Sequence, residues 1–357
     1  MTRRPRPTAD RPATLATIAE AVGVSRMTVS NAFNRPDQLS AELRERVLAA
    51  AAELGYSGPN PVARTLSRGE TGSIGLVLDY ALTRAFTDPA TVGFLQGVAA
   101  GCEDRAVGLS LVPKIEGRDA ALVQSALVDG FVLYCTPEDD PRHRAVVERR
   151  LPYVLVDYDP GPGRRSVNID DRGAARDTAE HLTALGHRDF GIVLPYAKPG
   201  TAAAAEAAAA RHVDSNRLAG WREALTSAGV GWARVPVGTA GGSDRATGRE
   251  AAAPLLDRAD RPTAILALSD ELALGVIDAA RSRGISVPAQ LSVCGFDDVP
   301  EAALSSPPLT TVRQPHDRKG TEAVRLLLEA EGSPAVQLPA ELVVRASSGP
   351  APERSTP

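Results

Sequence analysis

The chain has 357 residues, a formal net charge of −4 and 43 % apolar residues. That length exceeds one ordinary domain, and the apolar share can fill a sizeable core, which excludes a disordered or fibrous chain. The three cysteines, Cys102, Cys135 and Cys294, lie far apart with no CxxC pair or His cluster beside them, which argues against a disulfide scaffold and a metal centre.

The charge is unevenly distributed. Residues 1–69 carry ten Arg, no Lys and six acids, giving +4, whereas the remainder carries thirty bases and thirty-eight acids, giving −8. A basic head on an acidic body suits a protein that offers a polyanion one end only. The arm at 1–12 is rich in Arg and Pro and is expected to be disordered, adding non-specific phosphate affinity.

Residues 13–58 read as an all-α head. Thr14 caps a first helix whose apolar stripe is Leu15, Ile18, Ala19 and Val22, and Gly23 ends it. Ser25 caps a second helix with Val29 and Phe33 inward. Two short helices joined by a Gly-containing turn are the helix-turn-helix pattern, whose second helix enters the major groove of DNA. Arg26, Met27, Ser30 and Asn31 stand at its reading end: Arg26 suits guanine, Asn31 adenine and Met27 a thymine methyl. Ser25, Thr28 and Ser30 suit phosphates, and Thr14 is counted with the DNA contacts. Ser40 caps a third helix carrying Leu43, Val47, Ala50 and Leu54, stopped by Gly55. Asn60 and Pro61 then resemble the cap and first position of a short helix, too short to stand alone, so 59–71 reads as a hinge and linker.

From residue 72 strand and helix patterns alternate, as in parallel sheets built from βαβ units. Strands are predicted at 73–79, 108–112, 130–134, 152–157, 190–194, 263–268 and 291–296, with helices at 171–185 and 271–283 among those between. Four strands run into aspartate: Asp79, Asp157, Asp270 and Asp297. Ligands of open α/β sheets bind beyond the carboxyl ends of the strands, where carboxylates accept hydrogen bonds from hydroxyls or amines. Arg217, placed to start a helix, offers a rigid fork of donors for the same ligand. Asp297 and Asp298 better suit capping or bracing a lobe crossover, and for Asp270 the alternative to a ligand contact is the N-terminus of the helix that follows it. His181 and His187 read as ordinary polar positions, and the Ala-rich stretch 200–215, of high helix propensity, as a surface loop insertion that is partly helical. The helix at 271–283, apolar on one side, is a candidate dimer face, and 350–357 reads as a disordered tail without heptads.

Taken together, the blocks TLATIAEAVGVSRMTVSNAFN, LSAELRERVLAAAAELGY, NPVARTL, VNIDDRGAARDTAEHLTALGHRDFGIV, RLAGWREAL, ALSDELALGVIDAARSRGISVP, VCGFDD and PLTTVRQP resemble the lactose-repressor/galactose-repressor (LacI/GalR) family, from residue 13 to about 345. The resemblance implies a helix-turn-helix head on a two-lobed body like a periplasmic sugar-binding protein, with lobe 1 at about 72–168 and 298–338 and lobe 2 at about 169–297 and 339–349. It implies that 60–66 is a hinge helix, with Asn60, Val62 and Ala63 at the minor groove and Leu66 wedged between base pairs. It also implies an effector cleft touched by Asp157, Arg217 and Asp270, with Asp79, Tyr80 and Phe86 at the first strand and loop.

The reading is a DNA-binding regulator, most naturally a repressor of carbohydrate genes, working as a homodimer on a near-palindromic double-stranded operator. A nucleobase or another metabolite as effector, and a solute-binding protein without gene control, stay open. No cofactor and no metal are expected. With no phosphate loop, metal spacing or nucleophile elbow, an enzyme is disfavoured. With no secretory h-region and no membrane-length apolar run, no membrane partner is expected and the location is expected to be cytoplasmic.

Overall fold

The computed structural model describes residues 13–56, 69–115, 117–158, 161, 163–196, 198, 200–209, 211–329 and 334–353. Two compact units divide the chain, Met1–Thr71 and Gly72–Pro357.

In the first unit the caps act locally. Thr14 accepts the Thr17 backbone N–H while the Thr17 hydroxyl accepts the Thr14 N–H at 2.7 Å, a reciprocal box that starts α1 (Leu15–Val22). Gly23 stops it at φ +76°, a left-handed turn that costs glycine no steric strain. Ser25 accepts the Thr28 N–H at 3.0 Å and starts α2 (Arg26–Asn34), and Ser40 starts α3 (Ala41–Glu53). Ile18, Ala19, Val29, Ala32, Val47 and Ala51 form the core. Phe33, expected inside, is only half-buried. Ala32 takes the tight position between helices, and the larger ring sits at the rim, edge-on to Tyr56 at 5.6 Å.

The second unit holds two sheets. β1 (Ser73–Leu78), β2 (Gly108–Val112), β3 (Phe131–Tyr134), β4 (Tyr153–Val156), β5 (Ser166–Ile169) and β12 (Ala335–Leu338) make a parallel sheet in the order β12-β5-β4-β3-β1-β2. β6 (Phe190–Pro195), β7 (Gly200–Thr201), β8 (Pro236–Ala240), β9 (Ala264–Ala267) and β10 (Ser292–Cys294) make the other, in the order β10-β9-β6-β8-β7, with β7 antiparallel to β8. The chain crosses between sheets after β5, again through β11 (Thr311–Arg313), and again through β13 (Glu341–Val343); the last two pair antiparallel. β3, β4 and β6 are continuous apolar runs because both faces are covered by helices. In the first lobe the helices Pro89–Asp104 and His316–Leu328 approach backbone to backbone at Gly97 and Gly320. A Cβ on Gly97 would stand 1.8 Å from the Asp317 carbonyl oxygen.

Several expectations are corrected here. Residues 298–312 were expected in lobe 1 but are bonded to lobe 2 and the crossover: the Gly295 N–H donates to Thr310 O, the Thr310 N–H to Ser347 Oγ, and Arg345 pairs with Asp298. The stretch 200–215 is helical in part, as its composition suggested, but it is tied into the second sheet rather than being a loop insertion. It holds β7, the helix Ala202–Ala207 with Ala202 fully buried, and the start of the helix His212–Ser227. Arg217 therefore lies inside that helix rather than at its start. The helix Asp270–Ser282 spends its apolar side within the chain, where Leu272, Ala273, Leu274, Val276 and Ile277 are all buried. That leaves it no apolar dimer face. His187 is wholly buried and bonded to Thr263, Ser292 and Gly349, so it pins the C-terminal segment to β10. The expected disordered tail is ordered at its first residues, with the Ala351 N–H donating to Leu185 O at 2.9 Å. Among the described residues no helix is long and apolar enough to cross a membrane.

Candidate functional site

The head offers an exposed face on α2. Arg26 and Met27 project from its first turn, with Met27 70 % exposed and no part of the core. Thr28 and Ser30 are half-buried. The Ser25 and Thr14 oxygens already serve as caps, and Asn31 donates to Gln38 Oε1 at 3.2 Å. An exposed apolar Met beside an Arg at a helix N-terminus suits base edges rather than a protein core. Asn60, Val62, Ala63 and Leu66 lie outside the described residues.

In the body a cavity of about 120 Å³ opens at the carboxyl ends of the strands. Four strand ends there are left-handed: Cys135 (φ +53°) after β3, Asp157 (+57°) after β4, Tyr196 (+53°) after β6 and Asp297 (+128°) beyond β10. Non-glycine residues held in that region cost about 1–3 kcal/mol each and cluster at ligand sites. Cys135, Asp157 and Asp297 line the cavity directly.

A buried polar chain forms its floor. Arg217 is 6 % exposed. Its Nε donates to Asp171 Oδ1 at 2.9 Å and its Nη1 to Leu268 O at 2.7 Å, and its guanidinium stacks 3.5 Å from the Phe296 ring. Those bonds leave the fork rigid, with Asp297 Oδ1 3.9 Å away. Gln314 Nε2 donates to Asp297 Oδ1, and the wholly buried Lys319 donates both to Gln314 Oε1 and to Asp157 Oδ1, each at 2.5 Å. Side chains of both lobes and the crossover are thus joined in one network. Burial raises the Asp157 carboxyl against the opposing pull of Lys319, and raises Asp297 well above the usual carboxylate range against Arg217. Burial, with Lys319 and Arg217 adding to it, holds His316 well below the ordinary imidazole value, and the ring is neutral. The Cys135 thiol is pushed up by burial and then by Asp157, so it stays protonated and unreactive.

Of the seven effector contacts expected from sequence, Tyr80, Asp157, Arg217 and Asp297 stand at the cavity wall. Three do not. Asp270 is fully buried behind it, accepting the Thr311 hydroxyl at 2.5 Å and the Val299 N–H at 2.9 Å, and so braces the crossover. Phe86 turns outward, 59 % exposed. Asp79 sits beside the cavity, paired with Lys114 at 3.1 Å and 3.9 Å from Arg211. Sequence reasoning missed Tyr134, Tyr158, Arg211, Asp214, Gln314 and His316, which also line it. Arg211 and Asp214 pair at 3.1 Å just after the Ala run, whose low complexity hid them.

A periplasmic binding protein-like domain matches residues 179–348, and the model of bacterial regulatory proteins, lacI family, matches residues 14–60. The HTH-type transcriptional regulator Rv3575c of Mycobacterium tuberculosis is 44 % identical over 96 % of this chain and 99 % of its own. The chain belongs to the LacI family of transcriptional regulators. Among solved LacI-family structures it resembles a CelR–cellobiose complex (30 % identity, TM-score 0.69, covering 94 % of this chain and 100 % of the other). It also resembles the lac repressor dimer bound to operator and the anti-inducer ONPF (28 % identity, TM-score 0.75, covering 95 % and 100 %). The LacI-family head and the two-lobed parallel body, read from sequence, are the fold found.

Proposed function

We propose that this LacI-family regulator is a repressor of carbohydrate-utilisation genes that binds a near-palindromic double-stranded operator as a homodimer. A sugar in the cavity is the signal. Arg26 and Met27 read base edges, Asn31 does so once it exchanges Gln38 for an adenine, and the 60–66 segment with Leu66 supplies the minor-groove wedge. The single observation that carries the reading is the cavity at the carboxyl ends of both sheets, where the rigid Arg217 fork faces strand-end carboxylates. A cavity lined by both donors and acceptors suits a ligand whose hydroxyls both give and accept hydrogen bonds. The cellobiose bound by CelR and the operator bound by the lac repressor dimer support the same reading.

Control follows from differential affinity. Closure of the lobes on a ligand draws on the Asp157–Lys319–Gln314–Asp297 chain, so a ligand stabilises one lobe arrangement, and only one arrangement holds the DNA-competent dimer. The test is fluorescence anisotropy of labelled duplexes from the gene's own upstream region, with and without a panel of sugars. A saturable, salt-sensitive shift that a sugar alters supports the reading; no binding to any duplex, under any ligand condition, refutes it.

A further inference from the structure

Apart from the crossovers, side chains of the two lobes meet directly beside the cavity. Arg84, on the short helix Leu82–Ala85 of lobe 1, donates from Nη1 to the Tyr196 hydroxyl of lobe 2 at 3.0 Å, across 112 positions of chain. Nearby, Asp79 of lobe 1 stands 3.9 Å from Arg211 of lobe 2. Arg84 lines the cavity and also a second recess of about 470 Å³ to which Tyr196, Asp244 and Glu271 contribute, so its side chain stands between the two.

Both halves of the Arg84–Tyr196 contact are prepared within their own lobe. Arg84 stacks over the Tyr80 ring, 5.4 Å from its centre, within the range of a cation–π contact. Thr91 donates to Asp88, so the Tyr80 hydroxyl donates to Thr91 Oγ1 and the ring is fixed at the start of the helix Pro89–Asp104. In lobe 2 the Tyr196 N–H donates to Ala240 O, and the residue is held at φ +53°, a conformation that glycine adopts freely and tyrosine does not. What tyrosine adds there is a ring whose hydroxyl reaches Arg84 and whose centre lies 6.0 Å from the Arg211 guanidinium. The contact is also releasable. Arg84 Nε is buried without a hydrogen-bond partner, a cost that water relieves when the lobes part.

We propose that Arg84 and Tyr196 form an interlobe latch, backed by the Asp79–Arg211 pair, which holds the lobes together whatever the ligand and so sets how far the resting protein is already closed. This goes beyond the function proposed above, because the latch acts without reference to the ligand's identity. A ligand then shifts an equilibrium that the latch has already biased, and the response it can produce depends on where the latch leaves the resting balance.

Tyr196→Phe tests the latch most cleanly, since it deletes one hydroxyl, keeps the ring, and Tyr196 lies outside the cavity wall. Spin labels on Arg144→Cys in lobe 1 and Ala246→Cys in lobe 2, both exposed positions, report the lobe separation by pulsed dipolar spectroscopy of the ligand-free full chain. Excess unlabelled chain leaves one labelled copy in each assembly, and thermal melts confirm that the variants fold. The parent is expected to show mainly the separation seen in the structure. In Tyr196→Phe the closed-to-open ratio is expected to fall about three- to tenfold, the worth of one hydrogen bond to a charged donor. Arg84→Gln is expected to do the same, and the double variant to lose no more than the larger single loss. A parent that is mainly open, an unchanged distance distribution in Tyr196→Phe, or fully additive losses overturn the latch. Ligand-free operator affinity, measured on the same variants, is expected to move with the distances. Distances that move while operator affinity stays fixed overturn the lobe-to-DNA control proposed above and leave the latch standing.

Discussion

Lys319→Met isolates the ion pair under the cavity. Lys319 is wholly buried, and its ammonium serves Asp157, itself 5 % exposed, and Gln314. Met fills the volume of the aliphatic stem but leaves a buried carboxylate without its counter-charge. Breaking a buried pair this way costs about 3–5 kcal/mol, against about 1 kcal/mol for a surface pair. The carboxyl has one escape, which is to bind a proton. Burial already raises it, and Lys319 opposes that rise. Without Lys319 the folded value climbs further, so the variant's stability is greatest at low pH and falls as pH rises through that value. Denaturant unfolding of parent and variant at acidic and mildly alkaline pH is the assay, with a larger deficit expected on the alkaline side. Lys319→Met combined with Asp157→Asn removes the stranded charge and is expected to recover at least half of the loss, because a neutral replacement of a buried pair can be nearly cost-free. A variant within about 0.5 kcal/mol of the parent at every pH, or a double variant no better than the single, would refute the buried-pair account.

Asp270 titrates in the crossover brace, where burial pushes its carboxyl up to about 7. Its folded value lies above its unfolded one, so its contribution is complete below about pH 4 and is lost as pH rises towards 7. Asp270→Asn is therefore expected to flatten the pH dependence of the unfolding midpoint in that window, and an unchanged slope would count against it. Gly97→Ala gains helix propensity of about 1 kcal/mol but drives a Cβ into the Asp317 carbonyl oxygen. The clash wins, and a net loss of about 1–3 kcal/mol in denaturant unfolding is expected. In the head, Arg26→Ala is expected to cost about 1–3 kcal/mol of operator affinity, concentrated at one base pair per half-site, whereas an equal loss on every sequence would mark Arg26 as a phosphate contact.

What the sequence made legible was mostly local. Thr14, Ser25 and Ser40 cap helices through bonds spanning three residues, so their role is written in the spacing. The β-strands with unbroken apolar runs were equally plain. β5 and β12 were not: each is four residues long, and they pair with one another at a separation of 169 positions, beginning with Ser166 against Ala335. Asp270 was misread for the same reason. Its position after a strand is visible in sequence, but the returning crossover that supplies Thr311 and Val299 is not. The helix Asp270–Ser282 shows an apolar stripe, yet a stripe does not say whether its partner is another copy or, as here, the chain's own core. His316 follows a proline at the start of a helix, and nothing nearby marks it as lining a cavity nearly 160 residues from Asp157.

The proposed function makes operator affinity depend on what occupies the body cavity. The decisive measurement is operator affinity for the parent and for Arg217→Ala, each with and without a sugar from the anisotropy panel. The account predicts that the sugar changes the parent's affinity by at least tenfold, while Arg217→Ala binds the same duplex and ignores the sugar. An Arg217→Ala protein that responds like the parent would contradict it.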